Sequence, residues 1–333
     1  MAVPPEVLFH RYFQEIAPLR RSVRPEDSDP RPYKGKLNLD TLPDPAFRAL
    51  LLRIQQGWNE ALRNERRDIP GYVNHPAFHV DYIDSSLPNA IAFRYENYSF
   101  IGITIALLNS LGDVCVRLGQ SEPVATAVGV RLPPEEHGAL EIVFFQILSS
   151  FVIVHEYTHH VFGQDVSIFF HEIWEAGEGG SLRQQAPEVE ADGYATRMVF
   201  ANLLDAATRS ALTILGIDTQ PTDIQDHVLL SSFVVAVGAY FFIRPAPALD
   251  NVTIYRRTHP PQAARMNCLM HHVISWCESN RPGLEHWMSH DRYQKPDERC
   301  GNRSLRDQRR LRLGDADCVS ANRRWRRMLQ EAA

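Results

Sequence analysis

His155-Glu156-Tyr157-Thr158-His159 sets two imidazoles four residues apart with a carboxylate one residue after the first. On a helix, positions i and i+4 lie one above the other. Both rings can then grip one metal ion while Glu156 reaches a water beside it. Those residue types at that spacing point to hydrolysis by a zinc-activated water with Glu156 as general base. The run leading into the motif, Ala139 to Val154, has no Pro or Gly and a single charge, Glu141. A helix apolar nearly all round is a buried one, and imidazoles taken out of water need a partner to offset their desolvation. A metal ion is such a partner; the bland alternative is a pair of ordinary hydrogen-bonded core histidines.

A third protein ligand has two candidate places. Glu188-Val189-Glu190-Ala191-Asp192 follows a loop-like stretch (Gly177, Gly179, Gly180, Pro187) and opens a helical pattern running from Val189 to Leu204. Glu188 and Asp192 share a face there, so Glu188 can bind the ion while Asp192 accepts the outer N–H of a ligating imidazole. Glu190 is a register alternative, and acids also suit a helix N-terminus on electrostatic grounds alone. The rival is Asp165, ten residues beyond His155, where metzincin-like sites place a third ligand. Those sites carry a Gly seven residues after the first His, a position held here by Phe162, with Gly163 one step late. Glu188 is preferred, because its spacing to Asp192 also supplies the supporting carboxylate that metal sites require.

Further landmarks follow in order: Leu87-Pro88-Asn89-Ala90-Ile91-Ala92, the apolar run Phe100 to Leu108, the two acidic and histidine motifs, and Thr258-His259-Pro260-Pro261 with Arg265. Together they resemble the zincin (gluzincin) metallopeptidase family that includes the CAAX prenyl proteases and the membrane heat-shock proteases. The likeness covers roughly residues 85 to 275 and is carried by motifs and their order. It implies one catalytic Zn2+ and a peptide or protein substrate. It also implies that Asn89 and Ala90 open an edge strand beside the cleft, to which a peptide could add as another strand. By the same resemblance His259 is the first candidate to donate to the developing oxyanion, Tyr194 the second, and Arg265 an orienting residue. His259 with the two prolines also reads as loop-to-helix punctuation. The chain departs from the family at Gly112 to Gly138, an insertion that reads as a lid or an extra hairpin. The named relatives are membrane-embedded, whereas the best apolar stretch here, Val228 to Ile243, has sixteen residues, short of the ~20 a span wants. A soluble form is therefore expected, with membrane insertion disfavoured.

The elements that must position these groups follow from punctuation. Residues 1–45 read as a Pro-rich arm or a short helix followed by extended chain, 46–280 as a zincin-like metallopeptidase domain, and 281–333 as an Arg-rich tail. A helix is expected over 46–67, two or three short strands over 71–108 with a turn at 84–88, and helical patterns from Gly138 onward. The fold class expected is α+β, a mostly helical core with a small mixed β-sheet. Five scattered cysteines favour free thiols in a reducing compartment, and no apolar core stands behind basic residues near Met1, so the cytoplasm is expected. A net charge of -5 implies no general nucleic-acid affinity, and the oligomeric state is left open. Two other classes stay open beside the peptidase: a cytosolic regulatory protease of the IrrE/ImmA kind that cleaves one repressor, and a non-catalytic zinc-stabilised interaction protein.

Overall fold

The computed structural model describes residues 3–17, 33–65, 76–130, 133, 136–162, 182–204, 210–243 and 259–284. Asp165 and nearly all of the Arg-rich tail lie outside these described residues. The chain divides into two units. The first takes in Met1–Asp113, Phe145–Ala195 and Pro247–Pro260; the second takes in Val114–Phe144, Thr196–Ala246 and Pro261–Ala333.

The first unit is built on four short strands, Tyr33–Lys36 (β1), Ala77–Ser85 (β2), Ala90–Tyr95 (β3) and Tyr98–Thr104 (β4). Their order is β1-β2-β4-β3, with β2 and β4 parallel and the other two pairings antiparallel. The expected small mixed sheet is present, and β3 stands at its edge. Because β2 and β4 are parallel neighbours, the chain must cross the end of β4 to reach β3. Asn89 fastens that crossing. Its N–H donates to Thr104 Oγ1 at 2.8 Å, its carbonyl accepts from the Thr104 N–H at 2.9 Å, and its side-chain amide donates to the Tyr33 hydroxyl at 3.1 Å.

Alternation along the strands gives the sheet two different faces. On one, Phe93 and Phe100 meet Phe9, Tyr12 and Phe13 from the N-terminal helix Pro5–Arg11 (α1) and the π-helical turn Tyr12–Ile16 that continues it. Tyr12 stacks on Phe93 with ring centroids 4.0 Å apart. Gly102 admits this approach, since a Cβ there would lie 2.6 Å from Ile83 Cδ1 and 3.2 Å from Phe9 Cζ. The stretch read as an N-terminal arm thus contributes a helix and a strand to this unit. On the other face, Phe78 packs against Tyr157 and His160 of the long helix His137–Val161 (α5; α2 to α4 lie between in the chain). Ala90, Ala92 and Arg94 share that face of β3, in register with Ile103, Ile101 and Ser99.

Helix Pro45–Glu65 (α2) agrees with its expected span. It also closes an edge. Among the described residues β1 pairs with the far end of β2, and no strand pairs Val80 on that side. Asn59 takes the strand's place: its amide donates to the Val80 carbonyl at 3.0 Å and accepts the Val80 N–H at 2.8 Å. Nearby, the buried Asp81 carboxylate accepts from Lys36 of β1 at 2.7 Å and from Gln55 of α2 at 2.8 Å, joining three elements.

The insertion at 112–138 is helical rather than a hairpin. Helix Ile105–Gly119 (α3) starts inside the apolar run that looked like strand, and Glu122–Val128 (α4) follows, ending on Gly129 at φ 86°. In the second unit, Phe200 from the helix Leu182–Leu204 (α6) packs on Phe233 of Thr222–Phe241 (α8) and on Trp276 of Gln262–Asn280 (α9). The short helix Ser210–Ile214 (α7) lies between α6 and α8 in the chain. Gly238 lets Met266 approach α8, where an added Cβ would sit 3.3 Å from its sulfur. The architecture is α+β with a mostly helical core, as expected.

Asn59→Ala removes the acceptor of the buried Val80 N–H and the nearer of two donors to its carbonyl, which also accepts from Gln55 Nε2 at 3.3 Å. It should lower the urea-unfolding free energy by about 1–3 kcal/mol, the cost of stranding such groups. A change under ~0.5 kcal/mol would mean that water replaces the side chain and that α2 does not close this edge.

Candidate metal centre

The motif lies in the last two turns of α5, where residues 155–160 form the longest polar interruption of a mostly apolar helix. Hydroxyls there are absorbed by the helix itself, as when Thr158 Oγ1 donates to the Val154 carbonyl at 2.7 Å. His155, Glu156 and His159 are buried, and their ligand atoms lie within 4.8 Å of one another. Facing them is α6, which begins at Leu182, several residues before the expected start, and carries Pro187 in its interior. Pro supplies no N–H to the helix and reads as a stop in sequence, which is why the start was placed too late.

On α6 the acids differ in burial. Glu188 and Asp192 are each 1% exposed, whereas Glu190 is exposed. Glu188 Oε2 lies 3.3 Å from His155 Nε2, and Oε1 lies 3.7 Å from His159 Nε2. The two imidazoles meet at 3.2 Å through their Nε2 atoms. Behind them, His155 Nδ1 is 3.1 Å from Asp192 Oδ1. A carboxylate can only accept, so Nδ1 carries the proton, and in the neutral ring Nε2 presents a lone pair.

That lone pair points at another imidazole and at a carboxylate oxygen. Burial pushes the Glu188 carboxyl up, but His259, then His155 and His159, more than reverse it and hold it well below the usual carboxylate range. Oε2 accepts no well-formed hydrogen bond. Acceptors converging on one point in a buried site fit a cation. Ligands about 2.0–2.1 Å from a tetrahedral ion stand roughly 3.3 Å apart, close to the separations observed. The donor set of two imidazoles and a carboxylate suits such an ion.

His259 joins the same cluster, with Nε2 3.3 Å from Glu188 Oε2. It is 4% exposed. Tyr194 is half-buried, its ring against Tyr157 and Phe162. Arg265 lies in the second unit with its guanidinium over the Phe241 ring, 4.5 Å from the centroid. Asn89 and Ala90 are buried, 0% and 2% exposed. The main-chain N–H and carbonyl of Asn89 are engaged with Thr104 and its side chain with Tyr33.

Residues 130–284 match the family model described as Peptidase U49. The stretch is just under half of the chain, and it contains every residue of the cluster while leaving out the sheet. No curated protein and no solved structure matches. The match speaks for a peptidase, the chemistry expected from the motif.

His160 was passed over in the sequence, although a second histidine directly after the motif was visible. It is buried, and its Nε2 lies 2.9 Å from the Phe100 carbonyl of β4.

With Co2+ as a probe ion, Asp192→Ala should bind about 10–100-fold more weakly than wild type, as loss of a carboxylate behind a ligating imidazole does. Glu190→Ala should be unchanged, and His155→Ala, His159→Ala and Glu188→Ala should bind least, each read by equilibrium dialysis and visible absorption. Wild-type affinity in Glu188→Ala would remove that residue from the ligand set.

Proposed function

We propose that the chain is a zinc-dependent peptidase that cleaves peptide bonds of a protein substrate in the cytoplasm. The observation that carries this reading is the convergence of His155 Nε2, His159 Nε2 and the Glu188 carboxylate, with Asp192 behind His155 and Glu156 in the same buried cluster. Zn2+ held by His155, His159 and Glu188 would supply Lewis-acid activation of a water at neutral pH.

The chain's own groups do the rest. Asp192 keeps His155 in the tautomer that leaves Nε2 free of a proton. Glu156 accepts the proton of the attacking water and delivers it to the leaving amide nitrogen. His259, whose Nε2 already lies against negative charge at Glu188, is assigned to donate to the oxyanion that develops on the carbonyl. β3, at the sheet edge, is assigned to pair with the substrate main chain, which gives recognition without tight sequence preference.

An intact base weighs against a purely structural zinc site. Structure alone asks for ligands, not for a carboxylate beside them.

The cytoplasmic assignment rests on scattered cysteines, of which Cys115, Cys268 and Cys277 are in no disulfide among the described residues. It also rests on the burial of the apolar helices. α5 and α8 are long and apolar enough to cross a membrane by length and composition, with 61% and 83% of their apolar windows buried. At 20 residues, α8 is longer than the sixteen-residue run suggested, and core helices pass the same length test. Recovery of the untagged chain in the soluble fraction after carbonate extraction is the expected outcome. A membrane pellet that resists carbonate would move the substrate class toward membrane proteins.

Glu156→Gln separates catalysis from metal holding. It should keep about one Zn2+ per chain yet lose roughly 10²–10⁴-fold in turnover of a randomised peptide library, the contribution of a positioned base. Equal cleavage by wild type and variant, read by mass spectrometry of new N-termini, would sink the mechanism.

A further inference from the structure

We infer that His160 is a positioning residue that sets the distance between the metal-binding face of α5 and the edge strand β3. The inference rests on the peptidase reading above. His160 is 1% exposed. Its Nε2 is 2.9 Å from the Phe100 carbonyl, which can only accept, so the ring N–H donates to the central strand β4. The ring itself stands edge-on to Phe78 of β2, centroids 5.8 Å apart.

The main chain of the same residue makes a second tie. His160 lies in the last turn of α5, where helix carbonyls lack a helical donor. Its carbonyl accepts from Arg94 Nη2 of β3 at 3.4 Å. One residue therefore fastens the helix to β4 by its side chain and to β3 by its backbone. It does so one step along the chain from His159.

Successive helix residues are turned by about 100°, so the ligand face and the sheet-facing side of α5 are adjacent at this point. Tyr157, three residues earlier, packs on Phe78 from the same side. A peptide paired with β3 moves with the sheet, and the ligands move with the helix. Misplacement of about 1 Å between reacting groups can cost on the order of 10²-fold in rate. Ligands set on a helix and a substrate set on a strand need a fixed junction, and His160 is that junction.

The test uses the zinc-loaded full chain and the library peptide that wild type cleaves fastest. His160→Phe keeps a ring against Phe78 but loses the donor. It should retain about one Zn2+ per chain and lower kcat roughly 10–100-fold with KM within about 2-fold, the signature of lost alignment rather than lost binding. His160→Gln restores an N–H near the Nε2 position and should recover most of kcat. An unchanged kcat in His160→Phe overturns the inference, as does a rise in KM alone. Loss of zinc or of folding in both variants overturns it too, leaving His160 a support of the fold. Should His160→Phe alone fail to fold, Arg94→Ala takes its place: a fall in kcat at constant KM supports the junction, and an unchanged kcat overturns it. A wild-type chain that cleaves no library peptide removes the peptidase reading and this role with it. That result is distinct from an active wild type matched by an active variant.

Discussion

A carboxylate buried among three imidazoles is the constraint around which the first unit is organised. Glu188 is 1% exposed, and a lone carboxylate taken that far from water is costly unless something of opposite charge meets it. Two imidazoles come from α5, one turn apart, and the third is His259, from a distant part of the chain. Asp192 then decides which nitrogen of His155 bears the proton, and so what that ring can offer. A site of this kind tolerates little slack, because Asp192 orients one acceptor and none of the buried groups has bulk water to fall back on.

The demand for rigidity explains the company the site keeps. α5 is apolar nearly throughout, so its length is spent on burial and only its end is given to chemistry. Phe78 and Tyr157 lock it to the sheet, Phe47 of α2 meets Phe145 further back with centroids 5.6 Å apart, and serine and threonine hydroxyls turn inward to their own helix. The opposite face of the sheet is closed by the aromatic cluster around Phe9, Tyr12 and Phe93. Both faces of four short strands are thereby fixed.

Much of the site was legible because its signals are local. The i, i+4 pair of histidines and the i, i+4 pair of acids each define one helix face without reference to the rest of the fold, and Glu188 separates from Glu190 once that face is known. Features depending on contacts between distant segments were not legible. Pro187 looked like a helix stop, yet α6 runs through it. Gly112 to Gly138 reads as a lid or an extra hairpin, yet Gly129 serves as a left-handed helix terminus and Pro123 sits where a first turn tolerates it. Before residue 45 the reading as an arm or a short helix followed by extended chain is met by α1 and β1, though a seven-residue helix and a four-residue strand carry too little periodicity to fix their bounds. Asn89 drew notice as part of a motif beside a cleft, but its side chain is engaged in carrying the chain across β4. His160 was masked by the motif it adjoins.

The two alanines after Asn89 gain a physical reason from the register. Ala90 and Ala92 face the side of the sheet where α5 packs, while Ile91 and Phe93 belong to the aromatic cluster on the other side. Small residues keep that strand low beside α5, and larger ones anchor it from beneath. The two outer flanks of the sheet are treated differently. Beyond the reach of β1, the flank of β2 is closed by Asn59, which imitates a strand backbone, a usual way of disarming an open edge. β3 ends the strand order on the other flank, with Arg94 reaching back to the helix that holds the cluster. One outer stretch of β2 is thus closed by a side chain of α2, while β3 is tied by Arg94 to the end of α5.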